Sequence, residues 1–243
     1  MSTVAPGSAP AVSVAARPDA LAIRPAETAL VVVDMQNGFL KPGGYFDAVG
    51  YDLGHAPRTI AQVGRCVAAA RAAGIQVVFI QSGFDARHLC VGGPSAPVWH
   101  KSEAQVLMHS RPELAFRLIT DGTWDYELVE ELAPAPDEPV IRKSRYSAFA
   151  GTSLDQFLRA RRIVSLVFCG VAANVCVEST LREAYHREYF CLLVEDATHH
   201  AGPSFLADAT AWNVERFFGW VTGVAAFEGA VAGPARACAA APA

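Results

Sequence analysis

Four runs of contiguous apolar, largely β-branched residues set the architecture of this chain. They are Thr28-Ala-Leu-Val-Val-Val33, Gln76-Val-Val-Phe-Ile-Gln81, Ile163-Val-Ser-Leu-Val-Phe-Cys169 and Tyr189-Phe-Cys-Leu-Leu-Val194. A strand with one wet face alternates apolar and polar residues, whereas a strand covered on both faces reads as an unbroken hydrophobic run. Segments of helical character separate the runs: Pro57 to Ala73, which ends at the C-cap signal Gly74, then Ser153 to Arg161, Asn174 to Arg187, and Phe205 to Phe218. Pro139-Val-Ile-Arg142 adds a short strand. Strand, helix and strand in succession build parallel βαβ units. The expected fold is α/β, a three-layer αβα Rossmann-like arrangement with a mostly parallel central sheet. In such sheets ligands bind beyond the carboxyl ends of the strands.

A doubly covered sheet needs a large core, and 243 residues that are 52% hydrophobic supply it. One domain is expected over residues 21–230. The Ala/Pro/Ser/Val-rich residues 1–20 lack a basic segment before an apolar core, so they read as a flexible lead-in and not a signal peptide. Residues 231–243 read as a flexible tail. The net charge is −4 and no basic stripe occurs, which argues against nucleic acid as a partner. No apolar stretch approaches the ~18 residues of a membrane span. The six cysteines are scattered without a C-x-x-C pair, so a disulfide framework is not expected and a reducing, cytoplasmic setting is.

Three chemically distinct residues each follow a predicted strand. Asp34 ends the first run, Lys143 follows the short strand, and Cys176 lies in Gly170-Val-Ala-Ala-Asn-Val-Cys176 after the next. A parallel sheet brings such positions to one edge. Cys176 is predicted to open a helix, where unpaired N–H groups and the macrodipole favour thiolate. Lys143 is one of only three lysines, against 17 arginines, and it sits between Arg142 and Arg145. A compact ammonium whose pKa moves on burial suits a thiolate neighbour. Taken singly, each also has an ordinary reading: a turn-capping carboxylate, a solvated lysine, an inert core cysteine.

Taken together, Val33-Asp34-Met-Gln36, Lys143 and Gly170-Val-Ala-Ala-Asn-Val-Cys176-Val resemble the isochorismatase-like cysteine hydrolases. Loop segments such as Pro42-Gly-Gly-Tyr45, His100-Lys-Ser102, Gly122-Thr-Trp-Asp-Tyr126 and Arg145-Tyr-Ser147 resemble the branch that cleaves ureido acids. The likeness spans about residues 18 to 225. It implies an amidohydrolase acting on (Z)-3-ureidoacrylate in pyrimidine degradation, yielding aminoacrylate, ammonia and CO2. Cys176 is then the nucleophile, Asp34 the proton acceptor and donor, and Lys143 the charge-balancing, orienting group. A cis peptide falls at Val171–Ala172, and the backbone N–H groups of Ala172 and Cys176 form the oxyanion hole. Gln36, Tyr45, Ser82, Phe84 and Tyr146 are candidate substrate-binding residues. Arg87 and Arg145 are possible partners for a substrate carboxylate. Ser82, Phe84 and Phe39 depart from that branch's pattern, which bears on the substrate and not on the chemistry.

Rival expectations are hydrolysis of N-carbamoyl amino acids or nicotinamide, and a non-catalytic binding module. Retention of all three catalytic residues argues against the last. Some nicotinamide-cleaving members bind zinc through Asp and His, but here Asp85, His88, His100 and His109 lack short ligand spacing, and His199 and His200 are adjacent. No metal or other cofactor is expected. The expected partner is a small ureido acid, and the resemblance implies a homo-oligomer.

Overall fold

The computed structural model describes residues 10–232. Its strands are β1 (Val12–Val14), β2 (Leu21–Ile23), β3 (Thr28–Val33), β4 (Gln76–Ser82), β5 (Val140–Lys143), β6 (Ser165–Val171), β7 (Phe190–His199) and β8 (Trp220–Thr222). Its α-helices are α1 (Asn37–Leu40), α2 (Tyr45–Val49), α3 (Ala56–Ala73), α4 (Pro97–Lys101), α5 (Glu103–Ser110), α6 (Leu154–Ala160), α7 (Glu178–His186), α8 (Phe205–Asn213) and α9 (Val224–Val231). Strands β3 to β8 form one sheet in the order β5-β4-β3-β6-β7-β8, with every neighbouring pair parallel. From β3 the chain builds outward through β4 and β5. It then returns to β6, beside β3, and builds the other way. The reversal lies between β3 and β6, and a crevice opens there at the carboxyl ends of the strands.

All six residues of β3 and all seven of β6 are buried. Leu30 and Val32 face one core, shared with Val63, Cys66 and Val67 of α3 and with Val224 and Phe227 of α9. Ala29, Val31 and Val33 face the other, shared with Leu154 and Leu158 of α6 and Leu181 and Ala184 of α7. Two covered faces are why the runs do not alternate. Each fully buried leucine, such as Leu30 or Leu181, contributes about 2 kcal/mol of transfer free energy. Helix α3 ends at Gly74 with φ 71°, a left-handed cap that suits glycine. Alternation returns at edge strand β5, where Val140 and Arg142 are exposed and Ile141 and Lys143 are buried.

The flexible lead-in expected over residues 1–20 is corrected for residues 10–20. Strand β1 pairs antiparallel with β2, and Val14 is fully buried in the core that holds α9. Arg17 exchanges backbone hydrogen bonds with Val221 of β8 at 2.8 and 3.0 Å, and its guanidinium pairs with Glu195 and Glu215. This ribbon covers apolar surface that the sheet and α9 leave open, which ties the segment down. Residues 1–9 lie outside the described residues, as does the expected tail from 233 onward. Val231, expected to open that tail, is instead the buried last residue of α9. The predicted helix Phe205–Phe218 divides into α8 and a π-helical turn, Val214–Phe218.

Candidate active site

Strand β3 ends at Val33, and Asp34 leaves the sheet with φ 52°. Aspartate tolerates this left-handed region better than most residues. On β5, Lys143 shares the buried phase with Ile141, which faces the layer holding α6 and α7. Near the end of β6, Gly170 has φ 109°, and a Cβ there would lie 2.1 Å from the carbonyl oxygen of Val33. Only glycine allows the two central strands to approach so closely. The Val171–Ala172 peptide that follows is cis. Residues Ala173–Val177 then form a π-helical turn that runs directly into α7, and Cys176 lies in this turn. Its N–H belongs to the opening turn of the combined helix, whose first donors have no intrahelical acceptor. Among the described residues the N–H of Ala172 donates to no other backbone group.

Lys143 Nζ lies 2.8 Å from Asp34 Oδ2, with both side chains 0% exposed, and 3.2 Å from Cys176 Sγ. The contact with Asp34 is Coulombic in geometry. Among the described residues neither carboxylate oxygen has a well-aligned hydrogen-bond donor, and Oδ1, the oxygen not paired with the ammonium, keeps lone pairs able to accept a proton. Burial raises the Asp34 carboxyl above its usual 3.8 in spite of the pull of Lys143. Burial works to lower the Lys143 ammonium, but the charges of Asp34 and Cys176 overcome it and hold the group above its ordinary range.

Burial also pushes the Cys176 thiol up to about 12, with Asp34 adding to the rise and Lys143 opposing it. Burial therefore works against the thiolate expected from a helix-start position. A helix terminus and one ammonium do not offset the desolvation of a sulfur packed in the α6/α7 core layer beside a carboxylate. Burial of the sulfur thus opposes ionisation of Cys176 in the resting site. Its neighbour Asp34, buried and of raised basicity, can take the proton.

Cys176 opens onto a cavity of about 650 Å³. Tyr45, Ser82, Phe84 and Tyr146 line it, as does Phe39. Gln36, expected among the substrate-binding residues, does not, and that expectation is corrected. Its side chain is fully buried, and its amide donates to the carbonyls of Ser82 (3.0 Å) and Tyr126 (2.8 Å) while accepting from the Ser82 N–H (2.7 Å). With its hydrogen-bonding capacity spent on backbone, Gln36 braces the β3 and β4 ends.

Three charged side chains reach the cavity wall: Lys101, Glu103 and Arg145. Sequence reasoning missed Lys101 and Glu103. The signal for Glu103 lies in the tertiary structure, since its carboxylate accepts hydrogen bonds from Tyr51 at 2.8 and 2.9 Å and from Tyr45 at 3.3 Å. Arg87 is exposed and does not line the cavity.

His88, His100 and His109 engage other groups, whereas His55, His199 and His200 pack together, and among the described residues both His55 nitrogens and His200 Nδ1 have no hydrogen-bond partner. His88 contacts Thr120 Oγ1 (2.8 Å) and Gln105 (3.2 Å), and His100 contacts the Pro94 carbonyl (2.8 Å). His109 packs on Trp99, and His199 stacks on His55. Among the described residues no group of three or more His, Cys, Asp or Glu is arranged to hold a metal ion.

Comparison with known proteins shows which family the chain resembles as a whole. The ureidoacrylate amidohydrolase RutB of Agrobacterium fabrum is 52% identical over 216 residues, 89% of this chain and 95% of that protein. The RutB protein of Rhizobium rhizogenes is also 52% identical, over 88% of this chain and 87% of its own. Among solved structures, a cysteine hydrolase from Pseudomonas syringae superposes with a TM-score of 0.69 at 26% identity, covering 93% of this chain and 98% of that one. N-carbamoylsarcosine amidase from Thermoplasma acidophilum superposes with a TM-score of 0.62 at 26% identity, covering 82% and 96%. The isochorismatase domain model matches residues 28–226. That match takes in every strand of the parallel sheet, and the chain belongs to the isochorismatase family.

Proposed function

We propose that the protein is an amidohydrolase cleaving a C–N bond of (Z)-3-ureidoacrylate. One observation carries the chemistry: Lys143 touches both the Asp34 carboxylate and the Cys176 sulfur, and that sulfur opens onto a cavity of about 650 Å³, ample for a small acid. The substrate rests on the 52% identity with proteins named for this activity.

In this reading Asp34 takes the thiol proton as Sγ attacks the ureido carbonyl carbon. The carbonyl electron pair moves onto oxygen, where the N–H groups of Ala172 and Cys176 receive it. Loss of one such donor typically raises a barrier by about 3 kcal/mol. Lys143 offsets the charge that Asp34 and sulfur exchange, so no net charge appears in a dry site. Collapse breaks a C–N bond, and the leaving nitrogen collects the proton from Asp34. If that nitrogen belongs to aminoacrylate, a carbamoyl thioester remains on Cys176. Water, deprotonated by Asp34, releases carbamate, which decomposes to ammonia and CO2.

The same reading places a single catalytic domain over residues 21–230 in the cytoplasm, as a homo-oligomer. The five described cysteines, all free, support a reducing compartment. No described helix is long and apolar enough to cross a membrane. A second substrate reading, N-carbamoyl amino acids, is favoured by the structural likeness to N-carbamoylsarcosine amidase. Ammonia release from ureidoacrylate, N-carbamoyl amino acids and nicotinamide, compared in native and Cys176→Ser protein, tests the proposal. Ureidoacrylate is expected to be turned over fastest by native protein, and the serine variant to be essentially inactive. Preference for nicotinamide, or undiminished turnover by the serine variant, overturns it.

A further inference from the structure

Arg145 stands apart from the other arginines of this fold. It is half-buried in the cavity wall two residues beyond Lys143, the residue that touches the nucleophile. Among the described residues it has no carboxylate partner, and every other arginine lacking one is exposed. Its neighbour Arg142, by contrast, pairs with Asp121.

The guanidinium is nonetheless fixed. Nη1 donates to the carbonyls of Ser144 (2.8 Å) and Cys90 (3.1 Å) and to Ser144 Oγ (3.2 Å). All three acceptors are neutral and all engage the same nitrogen. Among the described residues, Nη2 and Nε have no acceptor. A guanidinium partly removed from water without a counter-ion carries a desolvation cost that an anion would offset. Its planar fork matches a carboxylate through two parallel N–H donors.

The other charges of the cavity bear on the same point. Glu103, which accepts from the Tyr45 and Tyr51 hydroxyls, repels an anion. Lys101 attracts one but is exposed on a flexible stem.

We infer that Arg145 anchors the substrate's carboxylate and thereby restricts the site to short carbamoyl acids bearing a free carboxylate. This rests on the reading of the cavity as a ureido-acid site and names the group that selects within it. Clamping the acid end fixes one end of the molecule and so limits how its carbonyl can approach Sγ.

The test separates binding from turnover. Cys176→Ala protein, which cannot form the thioester, is titrated by calorimetry with N-carbamoyl-β-alanine and with its carboxamide, the same molecule without the charge. The acid is expected to bind roughly 10- to 100-fold more tightly, the range for a charge-assisted contact. Adding Arg145→Gln is expected to abolish that preference, Arg145→Lys to restore part of it, and Lys101→Gln to leave most of it. Equal affinities for acid and carboxamide, or a preference that survives Arg145→Gln, overturns the inference. A general loss of affinity for both ligands marks Arg145 as a structural support of the Cys90–Ser144 loops, and also overturns it. Turnover by native protein is read separately. Ureidoacrylate hydrolysis without acid preference sinks only the anchor, whereas acid-selective binding without hydrolysis sinks only the proposed reaction.

Discussion

Replacing Lys143 with methionine keeps the length of the side chain and deletes its charge. Asp34 is then left in a site with 0% exposure and without the ammonium now 2.8 Å away. At that separation two unit charges attract by about 6 kcal/mol with an effective dielectric near ~20. Part of this only offsets desolvation, so the expected loss of stability for Lys143→Met is about 3–5 kcal/mol, the usual result of removing one partner from a buried pair. Asp34→Asn, a neutral near-isostere that also accepts a positive φ, leaves the ammonium unpaired and is expected to cost a similar amount.

The double variant buries no charge at all. It is expected to recover at least about 2 kcal/mol relative to the sum of the single losses. Urea unfolding followed by circular dichroism at pH 7 measures all four proteins. The raised pKa of Asp34 adds a second signature. A carboxyl whose folded pKa exceeds its unfolded value binds its proton more readily in the fold, so its protonation stabilises. Removing Lys143 raises it further, so the Lys143→Met deficit is expected to shrink as pH falls from 8 to 5. A single-variant cost below about 1 kcal/mol, or strict additivity in the double, would refute the reasoning that the pair is a coupled, desolvated unit.

Three further outcomes follow from the same geometry. The pH profile of kcat/KM is expected to have its acid limb above the ordinary aspartate value of 3.8, because Asp34 must be ionised to accept the thiol proton and burial holds its pKa up; a limb at or below 3.8 contradicts the base assignment. Gly170→Ala adds a Cβ 2.1 Å from the Val33 carbonyl oxygen at φ 109° and is expected to cost more than about 3 kcal/mol in chemical denaturation, with β3 and β6 forced apart; a loss under 1 kcal/mol would mean the strands yield freely. Between pH 9.0 and about 12 the unfolded chain releases the Cys176 proton that the folded chain keeps, so stability falls with rising pH. Cys176→Ala is expected to flatten that alkaline slope by about 1.4 kcal/mol per pH unit, and an unchanged slope contradicts the raised thiol pKa.

The central sheet was legible because burial on both faces leaves an unmistakable pattern, as in Thr28–Val33 and in the run now seen as β6. The same logic brought Asp34, Lys143 and Cys176 to one rim before any contact was known. Strands β1 and β8 were not legible. They are three residues each, too short for periodicity, and their support is remote, as in the bond from Thr222 Oγ1 to the Ala15 carbonyl across 207 positions. The role of Gln36 was hidden because its partners, Ser82 and Tyr126, lie 46 and 90 residues away. The burial that opposes ionisation of Cys176 was hidden for a different reason. A helix terminus is visible in sequence, but the degree of burial that overrides it is a property of the packed core.

The most direct examination of the account is to quench the native enzyme in acid during turnover of ureidoacrylate and weigh the peptide that carries Cys176. The account predicts that this peptide gains the mass of the acyl fragment in native protein, and that the gain is absent in Cys176→Ala. An unmodified Cys176 under conditions where product is accumulating and thioester hydrolysis has been slowed, or an acyl group found on another residue, would contradict it.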